Sequence, residues 1–550
     1  MGQRRAASDS YRFDLVPDDG QEGDAPGPGA GPEGPTVLDR VRAWPRRRVV
    51  AGLAAAVVVL GASGVASTLI ERERVAALRS APGGVLDLSV PPRESWSVDV
   101  ENGSPLTVLG GLLVVSSYTY GNGPRHDGAQ LRGIDLTDGS EVWRRSYEGE
   151  WDCGPTPYFA AASLALSASE SVVCVQNGPE GSVHVIDAAG EVAAERRVDG
   201  EDRQMPAGHG GVVRLSSVGE PGPLPEILGD EESGYRLDGP VIAPDLRVTM
   251  EDAATGAVRW ETTVESVPTG PDNWYQCMVW SDDGSGEPTL QPSVANAFHW
   301  ADESLVVVGA CGVDAAFTPA GVRLDVTSDA DTIDPADGAS SYEPVLRTVD
   351  GPYLRPAQVD RHGQYSSSPY APWEVVDADG TVLAALPGRG SEPRATDGSN
   401  AGIVFAQVPG GLVAIRTDDG ETAWEARMDG PAGVLVRTED VVVAVTTGQE
   451  LVALDLGSGA RRWTAPLGND QSRTFGDATD LVRAAFTDGR LAVVGTPGLG
   501  LPGALTWTAF DLRTGEVAWT RGREREADGY GFAVDGRMLY WNYQTIVGLE

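Results

Sequence analysis

Four cysteines, five histidines and one carboxylate-rich loop are the groups in this 550-residue chain whose chemistry bears testing first. Cys153, Cys174, Cys277 and Cys311 include no CxxC pair. His126, His184, His209, His299 and His362 are scattered with no HxxxH step, so neither residue type offers the spacing of a zinc site. Paired by proximity along the chain, Cys153 with Cys174 and Cys277 with Cys311 make two loop staples, and the other two connectivities stay open. Asp325–Gly338 (DVTSDADTIDPADG) concentrates oxygen ligands of the kind calcium takes. It lacks the D-x-D-x-D-G loop with a closing Glu and reads as a solvated acidic loop. Trp274–Trp280 (WYQCMVW) is an aromatic run suited to packing between elements or to a binding surface. No GxSxG, Walker or GxGxxG pattern joins a strand to a helix. The sequence assigns no catalytic, cofactor-binding or metal-binding residue.

The compartment of these cysteines follows from the segment ahead of them. Val49–Ile70 is 22 residues without a charge; as a helix it would be about 33 Å long, enough to cross a bilayer core of about 30 Å. Arg40, Arg42, Arg46, Arg47 and Arg48 precede it, which puts the N-terminus in the cytoplasm. The run is longer than a secretory signal's apolar core and starts too far from the N-terminus, so residues 46–71 are expected to be an uncleaved membrane anchor. Residues 1–45, with PGPGAGPEGP at Pro26–Pro35, are expected to be a disordered cytoplasmic tail. Residues 72–93 are expected to be a linker. Everything beyond then lies outside the cytoplasm, where disulfides persist.

The chain has a formal net charge of −38, and all 42 basic residues are arginine. Residues 1–48 hold eight arginines and eight carboxylates, so the whole excess lies beyond Arg48. A field of that sign repels phosphate backbones, which excludes nucleic acid and favours cationic partners.

The element that positions these groups announces itself by repetition. LRGIDLTDGSEVW, VTMEDAATGAVRW, LVAIRTDDGETAW, LVALDLGSGARRW and WTAFDLRTGEVAW share one frame. From reference positions Asp135, Asp252, Arg416, Asp455 and Asp511, a glycine follows at four residues (Gly139, Gly256, Gly420, Gly459, Gly515). A tryptophan follows at eight (Trp143, Trp260, Trp424, Trp463, Trp519). The first half is a strand, the middle a tight turn in which glycine takes φ > 0 and polar oxygens bond nearby N–H groups, and the second half a strand. One hairpin cannot cover the closing indole; a neighbouring sheet can. Shorter variants stand around Asp187 and Asp377. The chain ends in IVGLE, which stops where the next turn would begin, while Trp96 stands near the start without its own first half. The two ends are therefore expected to share one sheet, which removes exposed edges. Counting references 135, 187, 252, 377, 416, 455, 511 and the split 550/96 unit gives about eight four-stranded blades over residues 94–550, an all-β propeller. The 125 residues between Asp252 and Asp377 hold either a large insertion or a further degenerate unit.

These units resemble the PQQ-like repeat propellers, whose AxDxxTGxxxW signature stands most cleanly in TAFDLRTGEVAW. The resemblance covers about residues 94–550 and is specific for fold, not activity. One branch of that family, the quinoprotein dehydrogenases, would imply pyrroloquinoline quinone, a calcium ion and a pair of adjacent cysteines; the cysteines here are not adjacent, and no ligand carries over. Another branch, the outer-membrane assembly lipoproteins, implies a scaffold without a catalytic site, but its lipobox cysteine has no counterpart before Cys153. The reading reached is a membrane-anchored, non-enzymatic platform outside the cytoplasm, without cofactor, for an envelope protein or ligand. Its alternative is a PQQ- and calcium-dependent dehydrogenase.

Overall fold

A computed structural model describes residues 71–120, 126–156, 166–178, 180–198, 200, 202–229, 235–270, 274–280, 288–294, 297–325, 345–348, 351–357, 370–399, 402–467, 482–497, 505–523 and 529–550. The tail, the apolar run Val49–Ile70 and most of the acidic loop Asp325–Gly338 fall outside them. Among the described residues no helix is long and apolar enough to cross a membrane.

The described residues form eleven sheets: two two-stranded hairpins and nine larger ones, eight of four or five strands and one of three, antiparallel apart from the short edge strands Ala168–Ser169 and Ala395–Thr396. The first uses Gly103–Leu109, Leu112–Tyr120, His126–Asp135 and Glu141–Glu148. The second uses Trp151–Gly154, Val172–Gln176, Ser182–Ile186 and Val192–Arg197, and the third Arg203–Ala207, Gly211–Val218, Asp245–Asp252 and Val258–Val264. The fourth has only Phe298–Ala301, Val306–Ala310 and Val313–Phe317. The fifth (Leu346–Arg347, Tyr353–Pro356, Trp373–Val376, Val382–Leu386) and sixth (Arg389–Ser391, Ile403–Val408, Gly411–Arg416, Thr422–Arg427) follow. The seventh holds Pro431–Arg437, Val441–Thr446, Glu450–Asp455 and Arg461–Pro466; the eighth holds Ala484–Thr487, Leu491–Pro497, Leu505–Asp511 and Val517–Arg523. The ninth joins both ends of the chain: Tyr530–Val534, Arg537–Trp541 and Thr545–Leu549 are completed by Glu94–Asp99, with Trp96 opposite Gly548.

Eight sheets sit at the eight expected positions. The three-stranded one lies in the long interval between Asp252 and Asp377. Its turn starts at Thr318, whose carbonyl accepts from Gly321 N at 2.9 Å. The short turns at Asp187 and Asp377 close the same way, onto Gly190 N and Gly380 N at 3.0 Å. Thr318 is thus a further reference position with a hydroxyl in place of the carboxylate.

Each five-residue turn is held by two sets of bonds. Gly139, Gly256, Gly420, Gly459 and Gly515 donate N–H to the carbonyls of Asp135, Asp252, Arg416, Asp455 and Asp511 at 2.8–3.0 Å. The reference carboxylate then accepts turn amides, as Asp511 does from Arg513 N and Thr514 N at 2.9 Å. At Arg416 this role moves to Asp419, which accepts from Glu421 N and from the Arg416 guanidinium. Glycine serves the turn in a second way: Gly139 has φ of +71°, and a Cβ there would come within 2.7 Å of the Trp96 ring.

That contact belongs to a relay. Trp96 donates to Leu136 O, Trp143 to Ala188 O, Trp260 to Pro319 O, Trp424 to Leu456 O and Trp463 to Leu512 O, at 2.6–3.3 Å. In each case the acceptor is the residue just after the next sheet's reference position. The closing strand of the second sheet, Val192–Arg197, has no tryptophan, and Arg196 takes its place: its Nε donates to Ala253 O at 3.0 Å.

Between the sheets lie apolar clusters, one for each consecutive pair. Leu131, Trp151 and Ile186 join the first and second; Val175, Val183 and Val212 the second and third. Val248 and Phe317 join the third and fourth, Val307 and Val376 the fourth and fifth, and Trp373 and Val413 the fifth and sixth. Trp424 and Val452, then Trp463 and Phe510, continue to the eighth. Trp507 and Tyr540 reach the ninth, and Trp541 and Leu113 return to the first.

Residues 71–93, expected as a linker, lie within the same compact unit as the sheets. A helix covers residues 71–80, and Leu78, Ala81, Val85 and Leu88 are buried. Val85 N donates to Thr487 O at 2.9 Å, and Leu88 N donates to the Asp488 carboxylate at 3.2 Å.

Candidate functional site

The cysteines pair as Cys153–Cys174 and Cys277–Cys311. Cys153 and Cys174 face each other across neighbouring strands of the second sheet. Cys277 ends the short 3-10 turn Trp274–Cys277 and ties it to the hairpin at Ala310–Val313, with Leu237, Val241 and Ala243 packed around the bridge. This staple anchors the insertion that holds WYQCMVW.

Of the histidines, His184 and His209 have described side chains. His184 packs at a tilt against Trp151 (4.7 Å between centroids) and Tyr147 (5.7 Å). Burial lowers its pKa, and burial pushes the Tyr147 phenol up to about 12, so both rings stay neutral. His209 sits at the first hairpin of the third sheet beside Glu303 of the fourth. Glu303 accepts from His209 N at 2.6 Å and lies 3.0 Å from its Nδ1, while its other oxygen accepts from Ser169 Oγ. A serine nucleophile needs the imidazole between itself and the carboxylate. Here the carboxylate is in the middle, an order that ties three loops together and activates none.

Asp325, the described end of the acidic loop, is buried against a bidentate Arg323 at 2.7–3.1 Å. Its neighbour Asp314 has an enclosed Oδ1 with no hydrogen-bond partner among the described residues. Burial, then the Asp325 charge, push the Asp314 carboxyl up to about 7. Among the described residues no three His, Cys, Asp or Glu side chains converge as a metal site would require. The two disulfides join cysteines 21 and 34 residues apart, not adjacent ones.

Two surface features remain. The turns between third and fourth strands carry exposed carboxylates: Asp138 and Glu141 on the first sheet, Glu191 on the second, Asp379 on the fifth, Asp418, Asp419 and Glu421 on the sixth, and Glu516 on the eighth. Glu141 and Asp419 are partly neutralised by Arg144 and Arg416, which lower their pKa values. The second feature is a groove of about 740 Å³ between the seventh and eighth sheets. Thr496, Thr506, Thr508, Phe510, Val517 and Thr520 line one wall; Thr464, Ala465, Pro466 and Leu467 line the other. No charged side chain stands among these lining residues. Sequence reasoning missed it because threonine alternating in a strand is ordinary strand composition.

Residues 373–538 match the family model described as outer membrane protein assembly factor BamB. No curated protein matches the chain. Solved structures similar to it include BamB from Moraxella catarrhalis, with 11% identity over 84% of this chain and 99% of that one, at a TM-score of 0.36. Saccharomyces cerevisiae Sqt1 is 8% identical over 84% and 99%, at 0.34. The quinohemoprotein alcohol dehydrogenase ADHIIG from Pseudomonas putida HK5 is 13% identical over 86% and 81%, at 0.35.

Proposed function

We propose that this chain, a carrier of PQQ-like repeats, is a nine-bladed propeller held at the membrane by Val49–Ile70, outside the cytoplasm, and that it serves as a non-catalytic docking platform for a cationic segment of an envelope protein. The observation that carries the reading is the set of exposed carboxylates on the turns of five sheets, the first, second, fifth, sixth and eighth. They are fixed in place by Asp- and Gly-built turns and by indoles seated in the neighbouring sheet, so the charge is displayed on a rigid frame. Such a display raises association rates for a basic partner and screens out acidic ones. Strands from both chain ends in one sheet, and a cluster between every consecutive pair, support the closed ring. The name of the matched family, an assembly factor, agrees with a scaffold role.

The test is crosslinking in intact cells followed by purification of the full chain. A partner with a basic segment should be captured, released by raising salt, and lost when Asp379, Asp418 and Glu421 become Asn, Asn and Gln. Capture indifferent to both salt and these substitutions would remove the rim from the reading. The dehydrogenase alternative is decided separately: dye-linked alcohol or sugar oxidation after adding pyrroloquinoline quinone and calcium would overturn the non-catalytic assignment.

A further inference from the structure

The groove between the seventh and eighth sheets is chemically unlike the rest of this acidic surface. Its eighth-sheet wall is a patch of threonines in register: Thr496 lies opposite Thr506, and Thr508 opposite Thr520, on three adjacent strands. Thr506 and Thr508 alternate on one strand, so their side chains share a face about 7 Å apart. Thr464 comes from the facing sheet. Among the described residues none of these five hydroxyls has a hydrogen-bond partner; Thr464, Thr506, Thr508 and Thr520 are half-exposed or exposed, and Thr496, on the same wall, is only 9% exposed. A buried hydroxyl left without a partner is unfavourable unless something outside the chain supplies one.

We propose that this groove binds a neutral, polyhydroxylated ligand, an uncharged glycan chain. A threonine hydroxyl donates one hydrogen bond and accepts others, and a sugar hydroxyl does the same, so the patch can pair with a glycan in either sense. Among the described residues the lining carries no cation for an anionic sugar and no carboxylate for an amine, and the chain's net charge of −38 repels polyanions. Phe510, Val517 and Leu467 give the apolar walls against which the C–H faces of a sugar ring pack. The volume lies within the usual range of about 300–1,000 Å³ for ligand sites. A peptide added as an extra strand is less suited, because the seventh sheet's outer strand ends at this groove in Pro466, which has no N–H to offer. The inference rests on reading the ring as a binding rather than a catalytic frame, but it is independent of the acidic rim, so capture of a basic partner and glycan binding can fail separately.

The experiment uses the full-length protein in a zwitterionic detergent without a sugar headgroup. Saturation-transfer NMR and calorimetry are run with maltohexaose, a hexamer of β-1,4-linked N-acetylglucosamine, an oligogalacturonate and a neutral Gly/Ser peptide. At least one neutral oligosaccharide should bind with a Kd below about 1 mM. Thr506→Val with Thr508→Val should weaken it roughly tenfold or more, as loss of two hydrogen bonds implies. The paired Thr→Ser variant should retain binding. Thermal unfolding should be unchanged in the Val variant, because no internal bond is lost. No binding by either neutral sugar, binding indifferent to the Val pair, or preference for the oligogalacturonate or the peptide would each overturn the proposal.

Discussion

The indole of Trp519 on the eighth sheet donates its N–H to the main-chain carbonyl of Leu88 at 2.8 Å, across 431 residues of sequence. In the relay of the other sheets the acceptor is the residue after a sheet's reference position, Asp or Thr318. In the ninth sheet the third and fourth strands are Thr545–Leu549 and Glu94–Asp99, far apart in sequence, and Leu88 supplies the carbonyl instead. Arg93 and Glu550 also exchange main-chain hydrogen bonds. Closure of the last inter-sheet space therefore depends on residues that precede the first strand, Glu94–Asp99. Leu88→Ala should destabilise the sheets by about 2–5 kcal/mol, since Leu88 is 1% exposed. A chain beginning at Arg93 should go further and expose Trp519, read as a red-shifted tryptophan emission and a lower Tm. Unchanged emission and Tm in that truncated chain would show that the segment is not part of the core.

Arg196 gives the second prediction. It stands where six of the other sheets present an indole and reaches the same carbonyl position, but its guanidinium also pairs with Glu251 at 2.7 Å. Glu251 is 6% exposed and is shared with Arg214 at 2.7 Å. Removing one partner of a buried carboxylate leaves a poorly compensated charge. Arg196→Ala should lower stability by about 3 kcal/mol, and adding Glu251→Gln should recover part of the loss. A double-mutant cycle on urea midpoints measures it; simple additivity would deny the coupling.

How far the sequence disclosed the fold can be read from these two residues. The turns at Asp135, Asp252, Asp455 and Asp511 and their tryptophans were legible because one short-range pattern sets both the bend and the buried ring. Arg196 was not, because an arginine donating through Nε performs the indole's task without its residue type. Thr318 was hidden for a related reason: its turn keeps the glycine but has neither aspartate nor tryptophan. Leu88 was invisible because its contact is set by where the chain ends meet, which no local period encodes. The threonine groove was illegible because the same alternation serves an ordinary strand; only the missing hydrogen-bond partners distinguish it.

The disulfides should matter unequally. Each closes a loop, of 21 and 34 residues, for which chain entropy gives about 3–4 kcal/mol. Cys153–Cys174 lies inside the second sheet, so its replacement by alanines should lower the main unfolding transition. Cys277–Cys311 fixes an insertion, so its replacement should chiefly open Leu237–Ala243 to hydrogen exchange while the main transition moves less. Equal shifts in the main transition would contradict this division.

Asp314 makes stability depend on pH in an unusual direction. Its carboxyl is pushed from an ordinary 3.8 up to about 7, first by burial and then by the Asp325 charge. Between these values the folded state keeps a proton that the unfolded chain has released, so stability is full at low pH and is lost as pH rises from about 4 to about 7. The paired carboxylates of Glu141, Asp252 and Asp455 are shifted down and act oppositely, losing stability as pH falls below their ordinary values. The contribution of Asp314 is isolated by comparing the chain with Asp314→Asn, whose amide keeps the shape but cannot ionise. The variant should gain stability relative to the parent as pH rises from 4 to 7.5, and the difference should level off above that range. Urea midpoints measured at half-unit steps test it, and a difference that stays flat across the window would mean that Asp314 ionises in the folded protein as readily as in water.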